Sequence, residues 1–150
     1  MFLRFFSVTL FLCFTLMGNA YAAGDDSNNN CEKLSILITN STGKECRLIN
    51  NNLNHGFFTY TSQAPAFIPS KSTSYPFVIT QSLLGADIDL TYQCGDSSQI
   101  TIHSQQNLCF FYAGNINASV SNVSNMGAWA VPTVGSYFWN QHGSIHWSFE

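Results

Sequence analysis

A repeat of two dominates this chain and limits what it can fold into. Leu34, Ile36 and Ile38 alternate with Ser35 and Thr39; Ile88, Leu90 and Tyr92 alternate with Asp87, Asp89, Thr91 and Gln93; Ile100 and Ile102 alternate with Gln99, Thr101 and His103. Successive side chains of a strand point to opposite faces, so each run predicts a strand with one face buried and the other in water. Ile145, Trp147 and Phe149 against Ser144, His146 and Ser148 predict a last strand of the same kind. Turn chemistry separates the runs at Asn40-Ser41-Thr42-Gly43, Pro65 to Ser70, Gly95-Asp96-Ser97-Ser98 and Gly114-Asn115. Pro76, inside the run from Tyr75 to Thr80, predicts an edge or bulged strand there. Leu108 to Tyr112 is apolar on both faces and predicts a central strand, the deepest part of the core. No segment carries a sustained 3.6 period, and β-branched and aromatic residues dominate, so helix content is expected to be minor. The expected fold is all-β, an antiparallel two-sheet β-sandwich with two disulfides; a small β-barrel is the alternative.

The first residues set the compartment in which such a fold would form. Arg4, the apolar stretch from Phe5 to Met17 and Ala20-Tyr21-Ala22 have the layout of a secretory signal peptide, so residues 1–22 are expected to be removed. The apolar stretch is too short to span a bilayer, and no transmembrane segment is expected in the mature chain. Residues 23–33, which include Gly24-Asp25-Asp26-Ser27-Asn28-Asn29-Asn30, read as a flexible leader, and residues 34–150 as one domain. Cys13 leaves with the signal peptide. Cys31, Cys46, Cys94 and Cys109 remain, an even set in an oxidising compartment, and two structural disulfides are expected. Four cysteines permit three connectivities. The favoured one is Cys31–Cys46 with Cys94–Cys109, since each pair flanks neighbouring strands and closes a loop of about 15 residues, worth roughly 3 kcal/mol by the chain-entropy model.

Charge narrows the partners. After cleavage Lys33, Lys44, Arg47 and Lys71 face eight acids, Asp25, Asp26, Glu32, Glu45, Asp87, Asp89, Asp96 and Glu150, a net charge of four minus eight, or minus four. Nucleic-acid binding rests on clustered Lys and Arg, and so does electrostatic attachment to anionic lipid; both are disfavoured. Polarity comes instead from Ser, Thr, Asn and Gln. The sequons Asn40-Ser41-Thr42, Asn117-Ala118-Ser119 and Asn122-Val123-Ser124 would accept glycans in a eukaryote. The Phe-rich signal sequence and Asn-rich leader lean toward a bacterium, where the mature chain would reside in the periplasm or cross it to the outside.

The succession Ile38-Thr39-Asn40-Ser41, Leu53-Asn54-His55-Gly56-Phe57, a loop from Pro65 carrying Ile68-Pro69, then Gly85 and an alternating strand ending at Tyr92, resembles the first half of aegerolysins. Those are small secreted β-sandwich proteins that recognise membrane lipids, similar in outline to the actinoporin-like sandwiches. The resemblance runs between Leu34 and His103. The four mature cysteines and the aromatic region from Met126 onward have no counterpart in it. It implies a β-sandwich that binds lipid, in some cases as part of a pore-forming system.

Few residues of the chain point to catalysis or to a metal. His142 and His146 stand four apart, which on a helix would make a metal pair, but in a strand they lie about 13 Å apart at ~3.3 Å per residue. Asp87 and Asp89 share a strand face about 7 Å apart, a spacing two hydrolytic carboxylates can have, yet they read as solubilising edge residues. Neither a Gly-x-Ser-x-Gly elbow nor a Gly-rich phosphate loop is present. No enzyme and no cofactor are expected; a small secreted hydrolase stays as the last alternative.

Aromatic residues give the strongest functional signal. Trp129, Tyr137, Phe138, Trp139 and Trp147 crowd the last twenty-two residues, and His55, Phe57, Phe58 and Tyr60 form a second group. Three consecutive aromatics in a strand cannot all face one core, so Tyr137-Phe138-Trp139 must present at least one ring to the surface. A long loop from Gly127 to Trp139, with Pro132 and Gly135, is expected to display them. Tyr137, Phe138, Trp139 and Trp129 are thus the candidate ligand-binding residues. A secreted, non-enzymatic protein is expected, binding membrane lipid or serving in a pore-forming or virulence system. An effector that binds a host protein or glycan is the alternative.

Overall fold

The computed structural model describes residues 29–59, 62–111 and 114–150. The expected signal peptide and most of the expected leader lie outside the described residues. The described chain begins with one 3₁₀ turn, Asn30–Glu32, capped by the Asn29 side chain, which accepts from the Cys31 N–H. Eleven strands follow: β1 Lys33–Asn40, β2 Cys46–His55, β3 Phe57–Phe58, β4 Phe67–Ile68, β5 Ser72–Thr73, β6 Phe77–Thr80, β7 Ala86–Cys94, β8 Ser98–Gln106, β9 Ile116–Ser124, β10 Ala128–Thr133 and β11 Gly143–Phe149.

They form two sheets. One runs β10-β11-β1-β6-β3, with β5 also paired to β1; the other runs β4-β2-β7-β8-β9. The chain is thus a two-sheet β-sandwich rather than a barrel. Pairing is antiparallel except between β1 and β11, which run parallel with Leu34 opposite Gly143 and Asn40 opposite Phe149. A parallel pair needs a long crossover, and here most of the chain supplies it.

The alternation places the core where it predicts. Leu34, Ile36 and Ile38 of β1 and Ile145, Trp147 and Phe149 of β11 meet Ile88, Leu90 and Tyr92 of β7 and Ile100 and Ile102 of β8, all buried. Both polar ring atoms find partners, that of Trp147 across the interface and that of Tyr92 in the segment leading into β4 of its own sheet. Trp147 Nε1 donates to Ser104 Oγ at 2.9 Å, and the Tyr92 hydroxyl donates to the Pro65 carbonyl at 3.0 Å. Burial pushes the Tyr92 phenol above its ordinary pKa.

The disulfides differ from the short-loop expectation. They join Cys31 to Cys109 and Cys46 to Cys94. Sheet register decides this: Cys46 and Cys94 are direct cross-strand partners on β2 and β7, so no 15-residue loop needs closing. Both bridges close long segments, separated by 78 and 48 residues.

Other expectations are also corrected. The apolar run at 108–112 is no central strand: Leu108, Phe110 and Phe111 are exposed, and Cys109 alone among the described residues of the run is buried. The backbone of Cys109 is held by a side chain instead of a ladder, its N–H donating to Gln81 Oε1 and its carbonyl accepting from Gln81 Nε2. Pro76 precedes β6, which lies between β1 and β3, so that strand begins where the proline ring stops interfering. The expected loop from Gly127 contains β10 instead, and its Pro132 is accommodated because β10 is an edge strand. Asp87 and Asp89 are on β7, the middle of its sheet rather than an edge. Asn40 of the first sequon is fully buried, donating to the carbonyls of Lys44, Ile68 and Pro69, and so is no glycan acceptor; Asn117 and Asn122 are exposed.

Candidate functional site

Strand direction sorts the connections between the two ends of the sandwich. β1, β7, β9 and β11 start at one end, and β2, β6, β8 and β10 finish there. Besides the one-residue β2–β3 bend at Gly56, three longer connections therefore gather at that end: the β6–β7 turn (81–85), the β8–β9 loop (107–115) and the β10–β11 loop (134–142). No Asp, Glu, Lys or Arg occurs in any of them. They carry Leu83, Leu84, Leu108, Phe110, Phe111, Val134, Phe138 and Trp139, all exposed. Leu83 and Leu84 are 89% and 66% exposed, Phe138 and Trp139 79% and 83%.

Local hydrogen bonding explains why these side chains face outward. Tyr137 to Asn140 form a turn closed by paired bonds between Ser136 and Gln141, at 2.8 and 2.9 Å, so the three consecutive aromatics sit on a turn rather than in a strand. Asn140 takes the left-handed φ of 49° that Asn tolerates well. Ser82 and Gly85 likewise exchange backbone bonds at 2.8 and 3.0 Å, which leaves Leu83 and Leu84 at the tip. Gly85 has φ +95°, and a Cβ there would strike the Gln106 carbonyl, so glycine is required.

The loops brace one another. Phe110 and Phe111 stack edge-on at 4.2 Å between ring centroids, Phe111 meets Tyr137 at 5.2 Å, and Tyr137 meets Phe138 at 6.2 Å. A backbone bridge pairs Gly114 with Gly135. The Cys31–Cys109 disulfide fastens the β8–β9 loop to the entering chain. That chain also holds the aromatic turn: Asn29 Nδ2 donates to the Tyr137 carbonyl at 3.3 Å, and the Asn30 N–H donates to Asn140 Oδ1 at 2.7 Å. Phe111 sits at φ 59°, a conformation that costs a bulky residue of order 1 kcal/mol or more and persists only where the surroundings impose it. The result is an uncharged aromatic surface displayed on a braced frame.

Of the candidate residues, Tyr137, Phe138 and Trp139 lie here together. Trp129 does not: it pairs with Ser148 near the opposite end, and its Nε1 donates to Glu150 Oε1 at 2.7 Å. In the second aromatic group Phe57 is exposed beside the end, Phe58 packs against Phe77 at 6.5 Å, and Tyr60 lies outside the described residues. Sequence reading missed Leu83, Leu84, Phe110 and Phe111. The readable signal was the absence of charge from all three loops.

The opposite end is charged. Lys44, Glu45, Arg47, Lys71, Asp96 and Glu150 all lie on the turns and strand termini there, with Arg47 Nε 2.8 Å from Glu45 Oε1. Two open depressions of about 390 and 380 Å³ share Glu45 and Arg47.

His142 and His146 are not brought together with further ligands: His146 Nε2 lies 2.8 Å from Thr39 Oγ1, and no three of His, Cys, Asp or Glu cluster for a metal among the described residues. On the outer face of the second sheet, His103 Nδ1 lies 2.8 Å from Asp89 and 3.5 Å from Asp87. Asn54 Nδ2 donates to both carboxylates at 3.0 and 2.9 Å. These acids are tied into a network, and Asp87 is only 8% exposed.

No family model matches this chain, and no curated protein matches it. Solved structures share its fold. One is described as the lipid binding protein Nakanori, with TM-score 0.63 and 11% identity over 79% of this chain and 70% of that one. Another is IP-1A from Alcaligenes faecalis, with TM-score 0.54 and 10% identity over 81% of this chain and 93% of that one. At these identities the likeness is one of fold.

Proposed function

We propose that this protein is a non-enzymatic, membrane-lipid-binding module that docks through the aromatic end. One observation carries the reading: three loops without a charged residue expose two leucines, two phenylalanines of the β8–β9 loop and the Phe138-Trp139 pair at a single end, while six charged residues occupy the other. Exposed apolar surface of this extent marks a docking site. Aromatic rings with polar edges suit the headgroup layer of a bilayer, and a charged far end suits water. Among the described residues no helix is long and apolar enough to cross a membrane.

A fold shared with a structure described as a lipid binding protein supports the reading, as does the outline resembling aegerolysins. The two disulfides fit an oxidising compartment, and export through the N-terminal signal sequence belongs to the same proposal. A role in a pore-forming or virulence system would follow if a partner assembled on the docked protein. The test is co-sedimentation of the oxidised protein with vesicles of neutral, anionic, sphingolipid-containing and sterol-containing composition. Pelleting with at least one mixture is expected. No pelleting with any mixture would refute the reading and favour a protein or glycan ligand.

A further inference from the structure

We infer that the surface this end takes is an electrically neutral one, a bilayer of zwitterionic lipid, and that the Leu83-Leu84 turn is a second footing beside the Phe138-Trp139 turn. The inference rests on the lipid-binding reading and specifies its ligand class.

Attraction to anionic lipid comes from Lys and Arg held near the membrane. The three loops contain none, and Lys44, Arg47 and Lys71 are at the far end of the sandwich. The charged residues nearest the aromatic end are Glu32 and Lys33, adjacent in sequence and opposite in sign, and Asp87 and Asp89 near the start of β7, which are tied to His103 and Asn54. Acids outnumber Lys33 near this end and the loops carry no Lys or Arg, so no excess of positive charge faces a negative surface and the contact with lipid is apolar. A charged protein partner would find no complementary group in these loops either.

The footing follows from topology. The β6–β7 turn and the β10–β11 loop emerge at the same end, with the β8–β9 loop bound to both: Gln81 holds the backbone of Cys109, and Phe111 stacks on Tyr137. The leucines are fixed by the Ser82–Gly85 bonds, and their side chains contribute nothing to the buried core. Leu83 at 89% exposure is apolar surface that the fold itself does not use.

The experiment uses the oxidised protein with vesicles of phosphatidylcholine alone and with added phosphatidylserine, each at low and high salt. The wild type is expected to bind phosphatidylcholine equally at both salt concentrations, with no gain from phosphatidylserine. Leu83→Ser with Leu84→Ser is expected to lower the partition coefficient on the order of ten- to hundred-fold, the range for removing buried leucines from an apolar contact. Circular dichroism reports whether the fold is kept, and Leu83→Ser alone serves if the pair disturbs it. Binding that needs phosphatidylserine and fades with salt would overturn the neutral-surface inference while leaving lipid binding intact. Wild-type binding by the leucine variants would overturn the second footing. Failure of the wild type on every vesicle would overturn both, together with the lipid reading. Sedimentation without lipid should show a monomer; a dimer abolished by Leu83→Ser would overturn the inference by making a second copy the occupant of this surface.

Discussion

Replacing Phe138 and Trp139 together by serine should nearly abolish binding while leaving the fold alone. The two rings are 79% and 83% exposed. Taking about 200 Å² for each side chain, some 160 Å² of each faces water. Half of that leaving water on docking is about 80 Å² per ring, or about 2 kcal/mol each at ~25 cal/mol per Å². Together the pair supplies about 4 kcal/mol, roughly a thousand-fold in partition coefficient. Vesicle titration measures it directly, with near-ultraviolet circular dichroism and denaturant unfolding run on the same variant. Because neither side chain belongs to the core, unfolding free energy should change by less than about 0.5 kcal/mol. A loss of binding below ten-fold in a folded variant would refute the assignment of this turn to the contact.

Further outcomes concern the frame. Changing Cys46 and Cys94 together to alanine should cost about 4 kcal/mol in denaturant unfolding, since the bridge spans 48 residues, and non-reducing peptide mapping of the wild type should recover Cys31 linked to Cys109 and Cys46 linked to Cys94. A cost under 1 kcal/mol, or the short-loop pairs in the map, would contradict the register argument. Tyr92 predicts the alkaline limit. Its raised folded pKa means the native state keeps a proton that the unfolded chain releases above its own pKa of about 10. The stabilisation is therefore full below about pH 10 and is lost as pH rises beyond it. Tyr92→Phe should flatten that decline while costing about 1 kcal/mol at neutral pH for the lost bond to the Pro65 carbonyl. An unchanged alkaline slope in Tyr92→Phe would contradict the assignment.

The core was legible because alternation and burial report the same thing: Leu34, Ile36, Ile38, Ile145, Trp147 and Phe149 are buried where a period of two places them. The 108–111 segment was not. An apolar run reads alike whether the residues are buried or displayed, and what decides here is one disulfide and one Gln81 side chain that pin Cys109 while Phe110 and Phe111 stay outside. Disulfide connectivity was equally hidden, because strand register puts Cys46 opposite Cys94 and register is not local information. For the candidate site, the sequence showed that Tyr137, Phe138 and Trp139 crowd together, but not which residues join them. Leu83-Leu84 and Phe110-Phe111 reach the same end only through the shared direction of β6, β8 and β10.

The three tryptophans offer the most direct test of the docking geometry. Trp139 lies on the aromatic turn, Trp129 toward the opposite end beside Glu150, and Trp147 in the core. Vesicles containing brominated acyl chains quench only tryptophans that approach the hydrocarbon. The account predicts quenching in the wild type and in Trp129→Phe, and its loss in Trp139→Phe when enough lipid is added to bind that variant. Quenching that survives Trp139→Phe and disappears with Trp129→Phe would place the opposite end in the membrane and contradict the account.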